Sequence, residues 1–255
     1  MKSVFVSTVI LCFFLTSTFA QSTPRSASVS SAAPTVDPLN EIDKQMTYGE
    51  DIERDKQSLA MVERLLTSDG NNYQYLWRLA RATYFVGDSA AKSEKVRFFE
   101  RGVDAGQRAV AREPNAAEGH FWLGVCYGGL AEEKGALKAL SLVKKIRAEM
   151  ETVLRLNDRY HEGNAYLALG EMDRQLPRIV GGSVKRSITT LEQGVRVAPN
   201  NLEMKFALAN SYQEAGRKDE ARQQLQDILG RQINPARAKT ERDIQEKSRK
   251  LLSKL

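Results

Sequence analysis

Histidine and cysteine, the side chains that most often carry metal, nucleophilic or proton-transfer chemistry near neutral pH, occur only four times in 255 residues, as His120, His161, Cys12 and Cys126. His161 precedes Glu162, but consecutive helical residues point about 100° apart and cannot share a metal face. His120 falls fourth in a helical stretch, at a position that packs against a neighbouring helix. No CxxC or Cys/His cluster is present, which excludes a structural zinc site and a disulfide framework. The motifs HExxH, GxSxG, GxxxxGK[ST] and GxGxxG are absent as well. Gly181-Gly182-Ser183 opens a helix and could offer free amides to an anion, but the plainer reading is a tight turn capped by Ser183. Cys126 reads as a small buried hydrophobe, and Trp77 and Trp122 as core. The expectation is a non-enzyme with no cofactor and no metal, whose chemistry is recognition by a surface.

That surface must be positioned by helices. Between Asp43 and Pro199 only three prolines occur, and no alternating apolar and polar run is long enough for a strand, so the body reads as all-α. Residues 202–235 (LEMKFALANSYQEAGRKDEARQQLQDILGRQINP) match the 34-residue tetratricopeptide pattern. Leu208, Ala209 and Tyr212 sit on its first helix, Gly216 on the turn, and Ala221, Leu225 and Ile228 on its second. The same first-helix register recurs in YLWRLARATYF from Tyr75, EGHFWLGVCYG from Glu118 and EGNAYLALGEM from Glu162. The four units start at Gln74, Ala117, His161 and Leu202, spaced by more than 34 residues. The surplus is expected between the two helices of each pair, as in GDSAAKSEK and RQLPRIVGGS, with second helices near 96–111, 137–156 and 184–197. Residues 50–68 supply the second helix of an incomplete leading unit. The fold class is therefore a tetratricopeptide-like helical-hairpin solenoid of about four pairs plus flanking helices, over residues 43–235. Residues 236–255 form a basic capping helix, with Ile244, Leu251, Leu252 and Leu255 on one side.

The net charge is +6, from 38 Lys and Arg against 32 Asp and Glu. From Arg231 onward eight basic residues face three acidic ones, so this tail holds +5 and the rest of the body is neutral. A neutral body is a poor nucleic-acid binder. The first 20 residues, MKSVFVSTVILCFFLTSTFA, have one Lys, an apolar run from Val4 to Leu15 and a small-residue end, and read as a signal peptide cleaved after Ala20. Residues 21–42, rich in Ser, Ala and Pro, read as a flexible tether. A secreted or periplasmic location follows, with no stable membrane insertion once the leader is removed.

In such solenoids the first helices line a concave groove, and the second, fifth, ninth and twelfth positions of each unit face into it. Those positions point to a partner site at Arg78, Phe85, Phe121, Leu169, Met172, Phe206, Asn210 and Gln213, apolar at its centre and weighed evenly against ordinary packing. A grip on a terminal carboxylate needs several Lys, Arg and Asn at set places, and only Arg78 and Asn210 come near.

The segments LWRLARATY, EGHFWLG, EGNAYLALGEM and P-R-x-x-GG-S, followed by LEQGVRVAPNN, resemble the T component of tripartite ATP-independent periplasmic (TRAP) transporters, over roughly residues 50–230. They also resemble the microtubule-dynamics-regulator proteins, a eukaryotic branch with a similar repeat set, and the leader favours the transporter branch. Ser183 stands where the family pattern often has an acidic residue after the two glycines. The resemblance implies an extracytoplasmic scaffold that binds a periplasmic solute-binding protein and leaves room for a homo-oligomer around it. A second class of function is a carrier holding a small apolar or acidic ligand inside the superhelix.

Overall fold

The computed structural model describes residues 37–255, all of whose regular structure is helical. The signal peptide and most of the tether expected at 21–42 lie outside the described residues. Eleven α-helices are described: α1 Pro38–Gln45, α2 Ile52–Ser68, α3 Tyr73–Asp88, α4 Lys92–Arg112, α5 Ala117–Glu133, α6 Ala136–Asn157, α7 Asn164–Gln175, α8 Val184–Val197, α9 Leu202–Glu214, α10 Lys218–Leu229 and α11 Ala238–Leu252. Short 3-10 turns at Tyr160–Gly163, Arg178–Val180 and Pro235–Arg237 precede α7, α8 and α11. The pairs α3/α4, α5/α6, α7/α8 and α9/α10 are the four antiparallel hairpins expected from the repeat register.

The tether ends sooner than its composition suggests. Asp37 caps α1 by accepting from the Leu39 amide, Pro38 takes the first turn, and Ile42 is fully buried. Proline there is no obstacle, because an amide in the first turn has no helical partner to lose. α1 packs on α2, so the leading unit is a complete hairpin with a short first helix. The surplus residues of the first two units also fall elsewhere than expected. GDSAAKSEK is mostly helix, so α4 starts at Lys92 rather than near 96, and α5 runs on to Glu133, leaving two residues before α6, which lies within one residue of the expected 137–156 at each end. Only RQLPRIVGGS forms a true insertion, between α7 and α8.

α5 has no polar face. Residues 119–131 are buried throughout, because α3, α4 and α6 enclose it together with the material on its concave side. α3 packs on α5 and α7 packs on α9, but α5 and α7 share no comparable contact. The 3-10 turn Tyr160–Gly163 stands at this junction with His161, Glu162 and Gly163 all at left-handed φ (55°, 53° and 69°). For this reason α7 begins at Asn164, although the sequence register places a first helix from Glu162. Two adjacent non-glycine residues in that region are costly for the backbone and need tertiary contacts to hold them.

Candidate functional site

The concave face divides into a filled half and an open half. In the first half, the turn after α1 projects Tyr48 inward, edge-on to Phe85 (5.5 Å between ring centroids) and to His161 (5.7 Å). The turn is built by buried Asp55, which accepts from the Thr47 amide and hydroxyl (2.5 and 2.9 Å) and from the Gly49 amide (2.7 Å). Burial raises the Asp55 carboxyl above its ordinary range even though these donors oppose the shift. From the other side, Tyr160 and His161 enter. The His161 ring stacks on Phe121 (4.8 Å) and meets Trp122 edge-on (5.0 Å). Burial, then the Arg81 charge, drives its pKa well below the usual histidine value, so it is neutral.

Asp43 ties this filling to α3, pairing with Arg78 and Arg81 (both 2.6 Å). Burial would raise the Asp43 carboxyl, but the Arg78 hydrogen bonds and the two arginine charges outweigh it and hold the pKa below normal. The two guanidiniums also lie over Trp77 at 4.1 and 5.0 Å.

This arrangement corrects the exposure expected of several groove residues. Phe85 is 1% exposed, Phe121 2%, and Arg78, Leu169 and Met172 are buried as well. They pack against the chain's own side chains, and Arg78 is spent on Asp43. Phe206, Asn210 and Gln213 keep partial exposure. Cys126 is buried, its thiol 3.4 Å from the Ala80 carbonyl and pushed up in pKa by burial. His120 is buried between Glu149 (2.6 Å) and the Pro114 carbonyl (2.9 Å), and both tryptophans are core. Among the described residues no group of His, Cys, Asp or Glu is placed to hold a metal.

The open half is a cleft of about 650 Å³, measured out to open solvent, between α7, α9 and α11. Phe206 is the apolar side chain it leaves half-exposed, with Leu167, Ala207 and Ile244 buried around it; Arg174, Asn210, Asp243 and Lys247 give it a polar rim, and Glu171 and Glu203 are buried and paired with Arg174 and Arg237. Phe206 and Asn210 were legible from the repeat register; the residues of α11 were not, because its sequence reads as a cap. α11 is locked by Arg237, only 5% exposed, which reaches Glu162 and Glu203 (both 3.3 Å) and lies 4.0 Å from Glu241. Burial, opposed by Arg237 and aided by Glu241, raises the Glu162 pKa. The first residues of α11 also meet the leading turn. Glu50 accepts from the Thr240 amide (3.1 Å) and hydroxyl and from the Lys239 amide (3.3 Å), across 190 residues of sequence.

A family model described as regulator of microtubule dynamics protein 1-3 matches residues 39–171, and a tetratricopeptide-repeat model matches residues 183–251. Neither description names a transporter component. Among solved structures, TTC0263, a thermophilic TPR protein of Thermus thermophilus, is 21% identical with a TM-score of 0.62, over 85% of this chain and 97% of that one. MamA is 17% identical with a TM-score of 0.49, over 82% of this chain and 96% of that one. At 21% identity the likeness to TTC0263 speaks for the tetratricopeptide fold alone. No protein of curated function matches. No described helix is long and apolar enough to cross a membrane.

Proposed function

This chain belongs to the family described as regulator of microtubule dynamics protein 1-3, whose model covers more than half of it, and from that premise we propose that it is a non-enzymatic scaffold gripping a protein segment in the cleft between α7, α9 and α11. The tetratricopeptide fold is consistent with such a scaffold. The observation that carries the reading is the division of the concave face: the first half is filled by Tyr48, Tyr160 and His161, whereas the second half keeps Phe206 half-exposed within a mixed polar rim. A partner side chain seated on Phe206 removes apolar surface from water, and the rim charges set orientation.

Two observations bear on the class of partner. The family description points to a cytoskeletal protein. Read as a signal peptide, residues 1–20 favour export, and an exported chain would meet instead the solute-binding protein implied by the transporter resemblance. A carrier function requires a ligand held by the same cleft. Affinity purification from the native source, with bound proteins and small molecules identified by mass spectrometry, separates these readings. The combined change Phe206→Ala and Asp243→Lys is expected to weaken partner capture at least about tenfold, the equivalent of about 1.4 kcal/mol, with the melting temperature little changed. Capture at undiminished affinity sinks the cleft reading, and a retained small molecule without protein favours the carrier.

A further inference from the structure

The insertion between α7 and α8 presents Ile179 at 91% exposure, whereas the other exposed large hydrophobics among the described residues, Leu140 and Leu156, stand at 37%. Single surface aliphatics are ordinary. Ile179 differs in being held out by a braced loop. The Val180 and Gly182 amides donate to the Pro177 carbonyl (3.0 and 3.1 Å), and the Ser183 amide to the Asp173 carbonyl (2.6 Å). Asp173, 1% exposed, holds Arg147 and Arg186, and Arg186 also donates to the Gly181 carbonyl. Gly182 is obligatory, since a Cβ there would lie 1.7 Å from the Leu176 carbonyl oxygen. Such a loop has little conformational freedom to lose on contact. Its charge is one-sided, because residues 174–191 include Arg174, Arg178, Lys185 and Arg186 but no Asp or Glu. Arg174 and Arg186 are matched by Glu171, Glu214 and Asp173, whereas Arg178 and Lys185 are exposed and make no ion pair among the described residues.

Two further cations lie along the same edge of the solenoid. Arg174 in the last turn of α7 pairs with Glu214 in the last turn of α9 (2.5 Å), and the Lys218 and Arg222 side chains of α10 donate to the Leu255 backbone oxygen (3.3 and 2.7 Å). The α7–α8 insertion, the α9–α10 turn and the end of α11 therefore sit side by side. Lys218 and Lys254 are exposed there, and neither pairs with an Asp or Glu among the described residues. The carboxylates of this edge, Glu214, Asp219 and Glu220, are already matched by Arg174, Arg222 and Arg217. We propose that this edge rests on an anionic lipid surface, with Ile179 entering the headgroup layer and Arg178, Lys185, Lys218 and Lys254 facing the lipid anions. Charge complementarity carries the assignment, since what the edge leaves unmatched is cationic. The shape of the tip selects a lipid surface over a protein. A protein partner would need a pocket for Ile179 and about 1,000 Å² of matching surface, whereas a bilayer accepts a lone aliphatic tip at any point. One aliphatic anchor among four cations gives reversible, peripheral binding.

Co-sedimentation of the chain, purified as cells produce it, with vesicles of phosphatidylcholine alone or with about 30% phosphatidylserine measures the contact. The expected result is binding to the anionic vesicles only, falling as salt rises from about 0.1 to about 0.5 M because ions screen the cations. Ile179→Asp should lower the partition coefficient at least about tenfold. Arg178→Glu combined with Lys185→Glu should lower it at least about twentyfold, each cation near such a surface being worth about fivefold. All three substitutions are at exposed positions, so helix content and melting temperature should match the parent. Ile179→Trp supplies a gain in place of a loss: it should bind more tightly, with an emission that shifts to the blue on anionic vesicles. Equal binding to neutral and anionic vesicles, binding to neither, binding unaffected by Ile179→Asp, or an unshifted Ile179→Trp emission overturns the proposal. So does Ile179-dependent capture of an acidic protein by a chain that ignores vesicles.

Discussion

At the scale of single residues, the buried titratable groups of the concave interior tie stability to pH. His161 is held neutral in the fold, while an unfolded histidine takes up a proton below about pH 6.5. The unfolded chain therefore binds more protons below that pH, and stability falls as pH falls, by up to about 1.4 kcal/mol per pH unit from this group. Denaturant melts at pH 7 and pH 5 should show a smaller difference in His161→Gln than in the parent. An equal loss in both would mean that the ring is protonated in the fold. Asp43 acts in a lower window: its depressed pKa stabilises the fold above the ordinary carboxylate range, and that contribution disappears as pH drops through the folded value. Gly182→Ala sets a methyl group into the Leu176 carbonyl and should cost about 2 kcal/mol or more, read as a lowered melting temperature. The left-handed backbone at His161 and Glu162 was not legible, since neither residue type announces it. The caps at Asn72, Ser183 and Asn201 are of residue types that mark helix starts, and Ser183 was anticipated directly, whereas Asp37 lay in the stretch read as tether.

At the scale of elements, α8 and α11 illustrate two ways of holding a helix. α8 starts at Ser183, whose hydroxyl accepts from the Arg186 amide (3.2 Å), so Ser183→Ala should destabilise by about 1 kcal/mol. α11 rests on a small apolar cluster with Leu202, Ala209, Leu225 and Ile228, apart from the main core, and on Arg237. Removing that guanidinium leaves Glu203 and Glu241 buried without their cation, and Arg237→Ala should cost about 3–5 kcal/mol. Hydrogen exchange should localise the loss to α11, and protection at α11 equal to the parent's would refute the locking role. The helices themselves were readable from spacing because small residues recur where hairpins close and large ones where hairpins stack. The start of α4 was not, because a helix-forming stretch such as SEKVRFFER continues a helix as readily as it forms a connection.

At the scale of the whole molecule, the solenoid is curved enough for its leading turn to reach its last helix. Glu50 caps the start of α11 from the opposite end of the chain. Glu50→Ala should leave the helix content intact while increasing the radius of gyration by small-angle scattering and hastening exchange at Lys239 and Thr240. An unchanged envelope would mean that curvature is set by the hairpin interfaces alone. The junction at Tyr160–Gly163 lies inside the segment matched by the first family model, 39–171, and the second model begins at 183, where α8 starts.

Local periodicity, with small residues at fixed intervals, was enough to specify the helical class, the four hairpins and their order, and the basic last helix. The same register placed Phe206 and Asn210 on the concave face. Which concave residues stay open was settled by long-range packing. Arg78 and Phe121 occupy the register position of Phe206, and Phe85 that of Gln213, yet Asp43, His161 and Tyr48 cover them. Those covering residues come from α1, the turn after it and the Tyr160–Gly163 turn, about 35 to 40 residues away, and a repeat register describes how a helix faces its neighbours but carries no information on what a distant segment inserts between them.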